Sequence, residues 1–297
     1  MIAAEIAAAL GSACRSGDWW RCRCPVHGSR GFTLALRDGD RGLIVNCHGG
    51  CDRGEILAEL RRRGLVGGQA KYRSQLPLGL SDIRDRDRRI EIARNVWSEA
   101  RDARGSAVER YLAGRGITTP PPLSLRWARS LRRLDGTYAP AMIARVDGVD
   151  GELIGVHRTY LARDNRGQWH RRDRASLGPV GGGAVQLAPA GELLMVAEGI
   201  ETALSAMQAC VQPAWAALST SGMATLVLPA TVRTVIILAD NDANGAGERA
   251  ARAAADRWLA DDRCVRLAMP PEPGSDFNDV LVGRAYPCTR KVADGSG

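Results

Sequence analysis

Four cysteine and histidine residues near the start of the chain constrain its fold more than any other feature. Cys24 and His27 form a C-x2-H pair, and further along the chain Cys47 and Cys51 form a C-x3-C pair. Two ligand pairs on tight turns suit tetrahedral zinc, which binds thiolate and imidazole ligands. Between the pairs, residues 32–45 consist of two apolar segments around a polar turn, which is the pattern of a β-hairpin. The spacing therefore predicts a zinc ribbon with a closed, structural metal site.

Two neighbouring residues are alternative zinc ligands. His48 is an alternative to Cys47 in the same turn, and Cys22 lies two residues before Cys24. Disulfide bonds are the competing use of these thiols, but we expect a cytoplasmic chain without a secretion signal, in which thiols stay reduced. The remaining cysteines have no partner at metal-ligand spacing and are expected to be packing residues or free thiols: Cys14, Cys210, Cys264 and Cys288.

The chain of 297 residues is long enough for about two domains, and its net charge of +8 is unevenly distributed. Residues 71–190 carry 22 basic and 13 acidic side chains, whereas residues 191–297 carry 9 basic and 13 acidic ones. A basic middle region followed by an acidic region suggests a path for nucleic acid beside a site that holds cations. Solvated charged faces are the alternative interpretation. The sequence has no apolar run of about 18 residues, so we expect no membrane span.

Composition and apolar patterning divide the chain into segments. A stretch with many glycine and proline residues marks a linker, and a charged helix is predicted from residue 82 to 104, followed by a second from 108 to 115. Residues 142–146 and 153–160 alternate as two strands of a hairpin. The predicted parts are a zinc ribbon at 1–65, a linker at 66–81, a basic mixed α+β region at 82–190, an α/β domain at 191–285 and a tail at 286–297.

Arginines and an aromatic residue alternate near the end of the basic region. Six arginines lie between residues 158 and 174, and Trp169 lies among them. Cations with an interleaved aromatic ring suit a nucleic-acid backbone and an unpaired base. We therefore predict Arg158, Arg171, Arg172 and Trp169 as contacts for template or nucleotide. A solvated turn in an arginine-rich chain is the alternative.

Acidic residues follow two predicted strands of the C-terminal domain. Glu198 comes directly after an apolar run, and Asp240 and Asp242 follow the continuous apolar strand 234–239. Apolar strands separated by helices predict a parallel α/β sheet, in which functional groups gather at the carboxyl ends of the strands. Carboxylates that converge at one edge suit Mg²⁺, whereas two aspartates alone could also cap a helix.

Both motifs resemble those of known families. The Cys-Pro-x-His pair, the hairpin and the second cysteine pair resemble the zinc-binding domain of bacterial and phage DNA primases. The gap in Cys47-His-Gly-Gly-Cys51 is one residue longer than the usual pattern and looks like the variant of phage and mobile-element primases. Glu198-Gly and Asp240-Asn-Asp242 resemble the Toprim domain, a Rossmann-like α/β fold shared by primases, topoisomerases and some nucleases. In the same comparison Asp276 is a candidate fourth ligand, and Thr202 occupies a position where many primases have aspartate, leaving Glu201 as the nearest carboxylate.

The resemblance implies a DNA primase that makes short primers on single-stranded DNA. Glu198, Asp240, Asp242 and Asp276 would be the catalytic residues and would hold Mg²⁺ or Mn²⁺ for attack on a nucleoside triphosphate. The zinc ribbon would contact the template. A separate helicase or initiator would supply unwinding, on a plasmid, phage or integrative element. The alternatives are a Toprim nuclease or topoisomerase-like enzyme, and a non-catalytic DNA-binding accessory protein.

Overall fold

A computed structural model gives the structure of residues 2–11, 13–28, 31–39, 42–47, 51–67, 80–241 and 245–283. The chain divides into two compact units, and each is described by itself. The first comprises residues 1–85 together with 132–138, and the second comprises residues 86–131 together with 139–297. No helix in the described part of the chain is long and apolar enough to cross a membrane.

The first unit is a small antiparallel sheet with helices packed against it. The sheet order is β1-β2-β3-β4, and the predicted hairpin is its β3–β4 pair. Leu34 and Leu36 of the hairpin pack with Ile6, Ile56 and Leu60 from the two helices in one apolar cluster. The elements are α1 (Ile2–Ala9), β1 (Cys14–Ser16), β2 (Trp19–Cys22), β3 (Leu34–Gly39), β4 (Gly42–Cys47) and α2 (Arg53–Arg62).

The second unit begins with a five-stranded sheet in the order β5-β6-β7-β8-β9. The predicted hairpin is its antiparallel β7–β8 pair. The first predicted helix ends at Glu99 rather than at residue 104, because Arg101 and Asp102 pair with the next strand instead. The elements are α3 (Leu80–Glu99), β5 (Arg101–Asp102), α4 (Ala107–Gly114), β6 (Leu125–Arg132), β7 (Tyr138–Asp147), β8 (Leu153–Arg163) and β9 (Trp169–Leu177).

The rest of the second unit is an α/β domain, which is the predicted fold class, and its sheet also includes β10, a strand that precedes the predicted start at residue 191. Its sheet has the order β10-β12-β11-β13-β14, and every neighbouring pair is parallel except β10–β12. The elements are β10 (Val185–Gln186), β11 (Leu193–Ala197), α5 (Ile200–Cys210), β12 (Ala214–Ala216), α6 (Thr220–Thr225), β13 (Thr234–Leu238), α7 (Ala246–Ala260), β14 (Cys264–Ala268) and α8 (Phe277–Leu281).

Strand β11 lies at the centre of this sheet and is buried on both faces. Because side chains alternate along a strand, Met195 and Ala197 pack with α5 on one face, and Leu194 and Val196 pack with α6 and α7 on the other. The chain leaves β11 for β12 on one side and then crosses to β13 on the opposite side. The carboxyl end of β11 is therefore a topological switch point, which is where open α/β sheets bind ligands.

The glycine run 181–183 packs the two sheets of the second unit together. A side chain at Gly183 would collide with the carbonyl oxygen of Asp147 and with Ile154. Next to it, the carbonyl oxygen of Gly182 accepts a 3.0 Å hydrogen bond from the backbone amide of Val227. These glycines allow close backbone approach between the antiparallel sheet and the α/β domain, so the basic strands are held beside the parallel sheet.

Candidate functional site

The four predicted zinc ligands come together in the first unit. The ligand atoms of Cys24, His27, Cys47 and Cys51 all lie within 4.8 Å of one another. Nδ1 of His27 lies 2.9 Å from Sγ of Cys51 and 3.7 Å from Sγ of Cys47, and the Sγ atoms of Cys24 and Cys51 are 3.9 Å apart. Three sulfur donors and one nitrogen donor fit the tetrahedral shell of zinc and fill it. The predicted zinc-binding group of three cysteines and one histidine is confirmed, and a structural role for it stays a prediction.

Local structure delivers each ligand pair. The amide of Gly28 donates to the carbonyl oxygen of Cys24 at 3.1 Å, which closes the turn that carries His27. Cys47 is the last residue of β4, and Cys51 directly precedes Asp52, whose carboxylate caps the start of α2. On the outer side of the site, Oγ1 of Thr33 lies 3.2 Å from Nε2 of His27. Such a contact fixes the ring so that Nδ1 faces the thiols.

The cysteine side chains of this group ionise to thiolates only when a metal cation compensates for their raised pKa values. Burial, together with the charge of the neighbouring Cys47, raises the pKa of Cys51 to about 11. The pKa of Cys24 is also raised, chiefly by its hydrogen bond with Cys47. Metal ligation requires deprotonated cysteine, and a divalent ion offsets the repulsion among the sulfurs.

Cys22 does not join this group. Its side chain is fully buried in the apolar cluster of the first unit, where burial raises the pKa of its thiol to about 11. His48 lies outside the described residues. Within the described part of the chain, no other set of three or more histidine, cysteine, aspartate or glutamate side chains is close enough to share a metal.

Two predicted magnesium ligands lie at one edge of the parallel sheet. Glu198 follows the last residue of β11, and Asp240 follows β13 by one intervening residue. These strands are parallel neighbours, with Ala197 opposite Leu238. The two carboxylates therefore end adjacent strands at the switch point, where oxygen ligands suit Mg²⁺. The third predicted ligand, Asp242, lies outside the described residues.

Asp276 is tied to this edge through the backbone. The amide of Asn241 donates to the carbonyl oxygen of Ser275 at 3.1 Å, and the amide of Gly274 donates to the carbonyl oxygen of Asn241 at 2.6 Å. Oδ1 of Asp276 accepts from the amide of Asp279 at 2.9 Å and caps α8. Its other oxygen lies 3.6 Å from a guanidinium nitrogen of Arg115. The structure therefore shows a capping role for this carboxylate, and its role as a metal ligand stays a prediction.

A pocket beside Glu198 brings basic and acidic residues together. The strands β8 and β9 contribute His157, Arg171 and Arg174, and the start of α5 contributes Gly199. Gly199 is the N-cap of α5 and makes no side-chain capping bond. A positive wall next to a carboxylate at a helix N-terminus suits a phosphate group that reaches a metal ion.

The other predicted nucleic-acid contacts lie outside that pocket. The guanidinium of Arg158 donates to the carbonyl oxygens of Ala175 at 3.3 Å and Ser176 at 3.2 Å, and burial lowers its pKa. Trp169 is half buried against the main apolar cluster, with the Arg163 guanidinium 4.7 Å from its ring centroid. Arg172 is exposed on β9. Of the four predicted contacts, only Arg171 lines the pocket.

Sequence reasoning missed the role of two buried ionisable groups that line the pocket. Glu201, on the first turn of α5, accepts a 2.6 Å hydrogen bond from the hydroxyl of Tyr111 on α4. His157 on β8 lies 3.0 Å from the hydroxyl of Ser176 on the neighbouring strand. Because β8 is buried on both faces, the apolar run around His157 could have predicted that the residue is buried but not which groups it faces. The Tyr111–Glu201 contact joins residues 90 positions apart and has no local signal.

Comparison with known proteins assigns the C-terminal part of the chain. Residues 193–285 match the Toprim domain family, which confirms the predicted Toprim domain, and residues 87–187 match a domain of unknown function (DUF7146). No curated protein matches the chain. The fold and the sites define a zinc-binding protein of mixed α/β architecture with a C-terminal Toprim domain.

Among solved structures, the chain is similar to three primase domains. The first is the zinc-binding and RNA polymerase domains of the Aquifex aeolicus primase, at 16% identity over 96% of this chain and 80% of that chain, with a TM-score of 0.42. The second is a DNA primase domain from Pseudomonas aeruginosa, at 18% identity over 66% of this chain and 74% of that chain, with a TM-score of 0.42. The third is the E. coli primase catalytic core, at 15% identity over 65% of this chain and 75% of that chain, with a TM-score of 0.43.

Proposed function

We propose that this protein is a DNA primase that synthesises short primers on single-stranded DNA by metal-dependent nucleotidyl transfer. One observation carries the proposal: a Toprim domain with Glu198 and Asp240 at its switch point follows a zinc-binding group of three cysteines and one histidine in the same chain. A Toprim edge alone serves cleavage as well as synthesis. The order of zinc ribbon, basic region and Toprim domain favours primer synthesis.

We assign metal binding to the acidic residues at and near the switch point and phosphate binding to an arginine beside them. Glu198, Asp240, Asp242 and Asp276 would hold Mg²⁺ or Mn²⁺, because carboxylate oxygens are the ligands these ions prefer. When bound, such an ion orients the attacking 3′-hydroxyl and stabilises the charge that develops on the α-phosphate. Arg171, in the pocket beside Glu198, would bind the phosphates of the incoming nucleotide.

The remaining parts would handle the template. The zinc ribbon would contact single-stranded DNA, and the exposed basic face of β9, with Arg172, would bind its phosphates. Trp169 on β9 and Arg158 on the neighbouring strand β8 are further proposed contacts for the template or the nucleotide. We also propose a separate helicase or initiator as the partner, in the replication of a plasmid, phage or integrative element.

The direct test is primer synthesis on a single-stranded template. The protein is incubated with single-stranded DNA, labelled nucleoside triphosphates and Mg²⁺ or Mn²⁺, and the products are resolved by size. We expect labelled oligonucleotides from the wild type and about 100-fold less from Asp240→Asn, since weakening a metal site commonly costs 10- to 100-fold. Asp256→Asn, an exposed aspartate on α7, is the matched control and should retain full activity.

Two outcomes would replace the proposal. Metal-dependent nicking of the template without oligonucleotide products would make the protein a Toprim nuclease or topoisomerase-like enzyme. Binding of the template with neither synthesis nor cleavage would make it an accessory protein.

A further inference from the structure

Glu201 is a charged side chain in a place where charge is costly. Only 7% of its surface is exposed, and it lies on the first turn of α5, three positions after Glu198. A buried carboxylate is stable only when partners replace the water it loses. Since Glu201 is the nearest carboxylate to the position that holds aspartate in many primases, a metal-binding role is the obvious alternative to a structural one.

The partners of Glu201 are protein groups. Its Oε1 accepts the hydroxyl proton of Tyr111 at 2.6 Å and lies 4.0 Å from a guanidinium nitrogen of Arg171. Burial alone would raise the pKa of this carboxyl, but the Tyr111 hydrogen bond and the charges of Arg171 and Arg115 lower it below its ordinary value. The pKa of Tyr111 is raised, chiefly by burial and also by Glu201. The phenol therefore stays protonated and donates a hydrogen bond to Glu201. Glu201 is therefore an anion that is already hydrogen-bonded.

Arg171 lies beside this buried pair and lines the same pocket as Glu201. It lines the pocket together with Glu198, and 44% of its side chain is exposed while one guanidinium nitrogen lies near Glu201. Arginine carries five donors in a rigid fork, so it can keep one side on Glu201 and present the other to a phosphate. An arginine that is held in place loses less side-chain freedom when it binds a ligand.

We propose that Glu201 is a positioning residue, which Tyr111 orients and which holds Arg171 at the pocket for the triphosphate of the incoming nucleotide, rather than a magnesium ligand. This inference rests on the proposed function, because it names the nucleotide as the ligand of Arg171. It places Tyr111 on α4 and Arg171 on β9 in one functional group with Glu201. Neither α4 nor β9 carries a predicted catalytic residue.

The experiment combines steady-state primer synthesis with direct ATP binding by titration calorimetry in the presence of Mg²⁺. The variants are Glu201→Gln, Tyr111→Phe, Arg171→Ala and Arg171→Lys, and the double variant Glu201→Gln/Arg171→Ala. Glutamine keeps the size of the side chain and an oxygen that accepts from Tyr111, but it loses the attraction for Arg171. Glu248→Gln is the matched control, because Glu248 pairs with Arg252 at 2.7 Å on the exposed face of α7.

We expect Glu201→Gln to raise KM and Kd for ATP by about fivefold, within the usual coupling between residues of one ion-pair network, with little change in kcat. Tyr111→Phe should act in the same direction with a smaller effect. Arg171→Ala should weaken ATP binding more, Arg171→Lys should restore part of it, and the double variant should equal Arg171→Ala. Glu248→Gln should behave as the wild type.

Four results would overturn the inference. Additive effects of the two substitutions would show that Glu201 does not act through Arg171. Loss of Mn²⁺ binding in Glu201→Gln, measured by electron paramagnetic resonance, would make Glu201 a metal ligand. Unchanged ATP affinity in Glu201→Gln, or no ATP binding by the wild type, would also reject it. Absence of primer synthesis would reject the proposed function alone, because the ATP titration still decides the role of Glu201.

Discussion

At the scale of single residues, the pocket is built on groups whose ionisation depends on burial. Glu201 stays charged because Tyr111 and nearby arginines replace its lost water, whereas His157 stays neutral because burial, with the charge of Arg174, outweighs the attraction of Glu201. Only 7% of the His157 side chain is exposed, and arginines surround it. Because this imidazole in the pocket lining is neutral, the arginines are the positive charges of the pocket.

His157 should make the protein less stable as the pH falls. Burial, with the charge of Arg174, lowers its pKa to about 3, whereas an unfolded histidine titrates near 6.5. The unfolded chain therefore takes up a proton first, and stability is lost as the pH falls from about 6.5 towards 3, by up to about 1.4 kcal/mol per pH unit. We expect His157→Asn, which keeps a hydrogen bond to Ser176, to flatten this slope in urea unfolding between pH 7 and 4.5.

The exposed His170 provides the control for that measurement. His170→Asn should keep the wild-type slope. If His157→Asn keeps it too, His157 is not the group responsible.

At the scale of elements, the zinc ligands lie where strands and turns end. Cys24 and His27 come from the turn after β2, Cys47 ends β4, and Cys51 precedes α2. A bound zinc therefore ties three elements of the first unit together. Because so small a unit has a limited apolar core, much of its folding free energy should depend on the metal.

Zinc content should distinguish a cysteine that binds zinc from one that is only buried. We expect Cys24→Ala to lose the bound zinc and Cys22→Ala to retain one zinc per chain, since Cys22 lies in the apolar cluster and not among the ligands. Zinc content of the purified variants by mass spectrometry decides this. Equal loss in both variants would contradict the assignment of Cys22.

The elements that the sequence predicted are those with apolar runs. Strands β7, β8, β11 and β13 carry buried aliphatic residues and were expected from pattern alone. Strand β9 has the sequence WHRRDRASL and is mostly exposed, so it has no apolar periodicity, and its pairing with β8 is what makes it a strand. The same limit applies to the site. Motif spacing located Glu198 and Asp240, but only tertiary packing brings Tyr111 to Glu201.

At the scale of the whole molecule, charge is divided by region. The arginine-rich residues 71–190 hold an excess of positive charge, and residues 191–297 hold an excess of negative charge. A nucleic acid bound along the basic region, as we propose, would be held by phosphate contacts, and these would weaken as salt rises. The pocket beside Glu198, where arginines from the basic region line one wall, is where the two regions meet within the second unit.

Binding of single-stranded DNA should therefore depend steeply on salt. We expect Arg172→Ala to lower the slope of log K against log salt by about 0.7, the value for one phosphate contact on a single strand. Arg252→Ala, on the exposed face of α7 in the acidic domain, should leave the slope unchanged. Fluorescence anisotropy with a labelled oligonucleotide at several salt concentrations measures both. Equal slopes for the wild type and both variants would show that Arg172 does not contact a DNA phosphate.

Strand β9 also has a bearing on the protein's solubility. It pairs with β8 on one side and is the last strand of its sheet among the described residues, so its outer edge is where a strand of a second molecule could pair. The arginines along it discourage such pairing by repulsion. Replacing several of them with alanine at once should promote self-association, visible as increased light scattering. Arg→Lys exchanges would preserve the repulsion while changing the phosphate contacts.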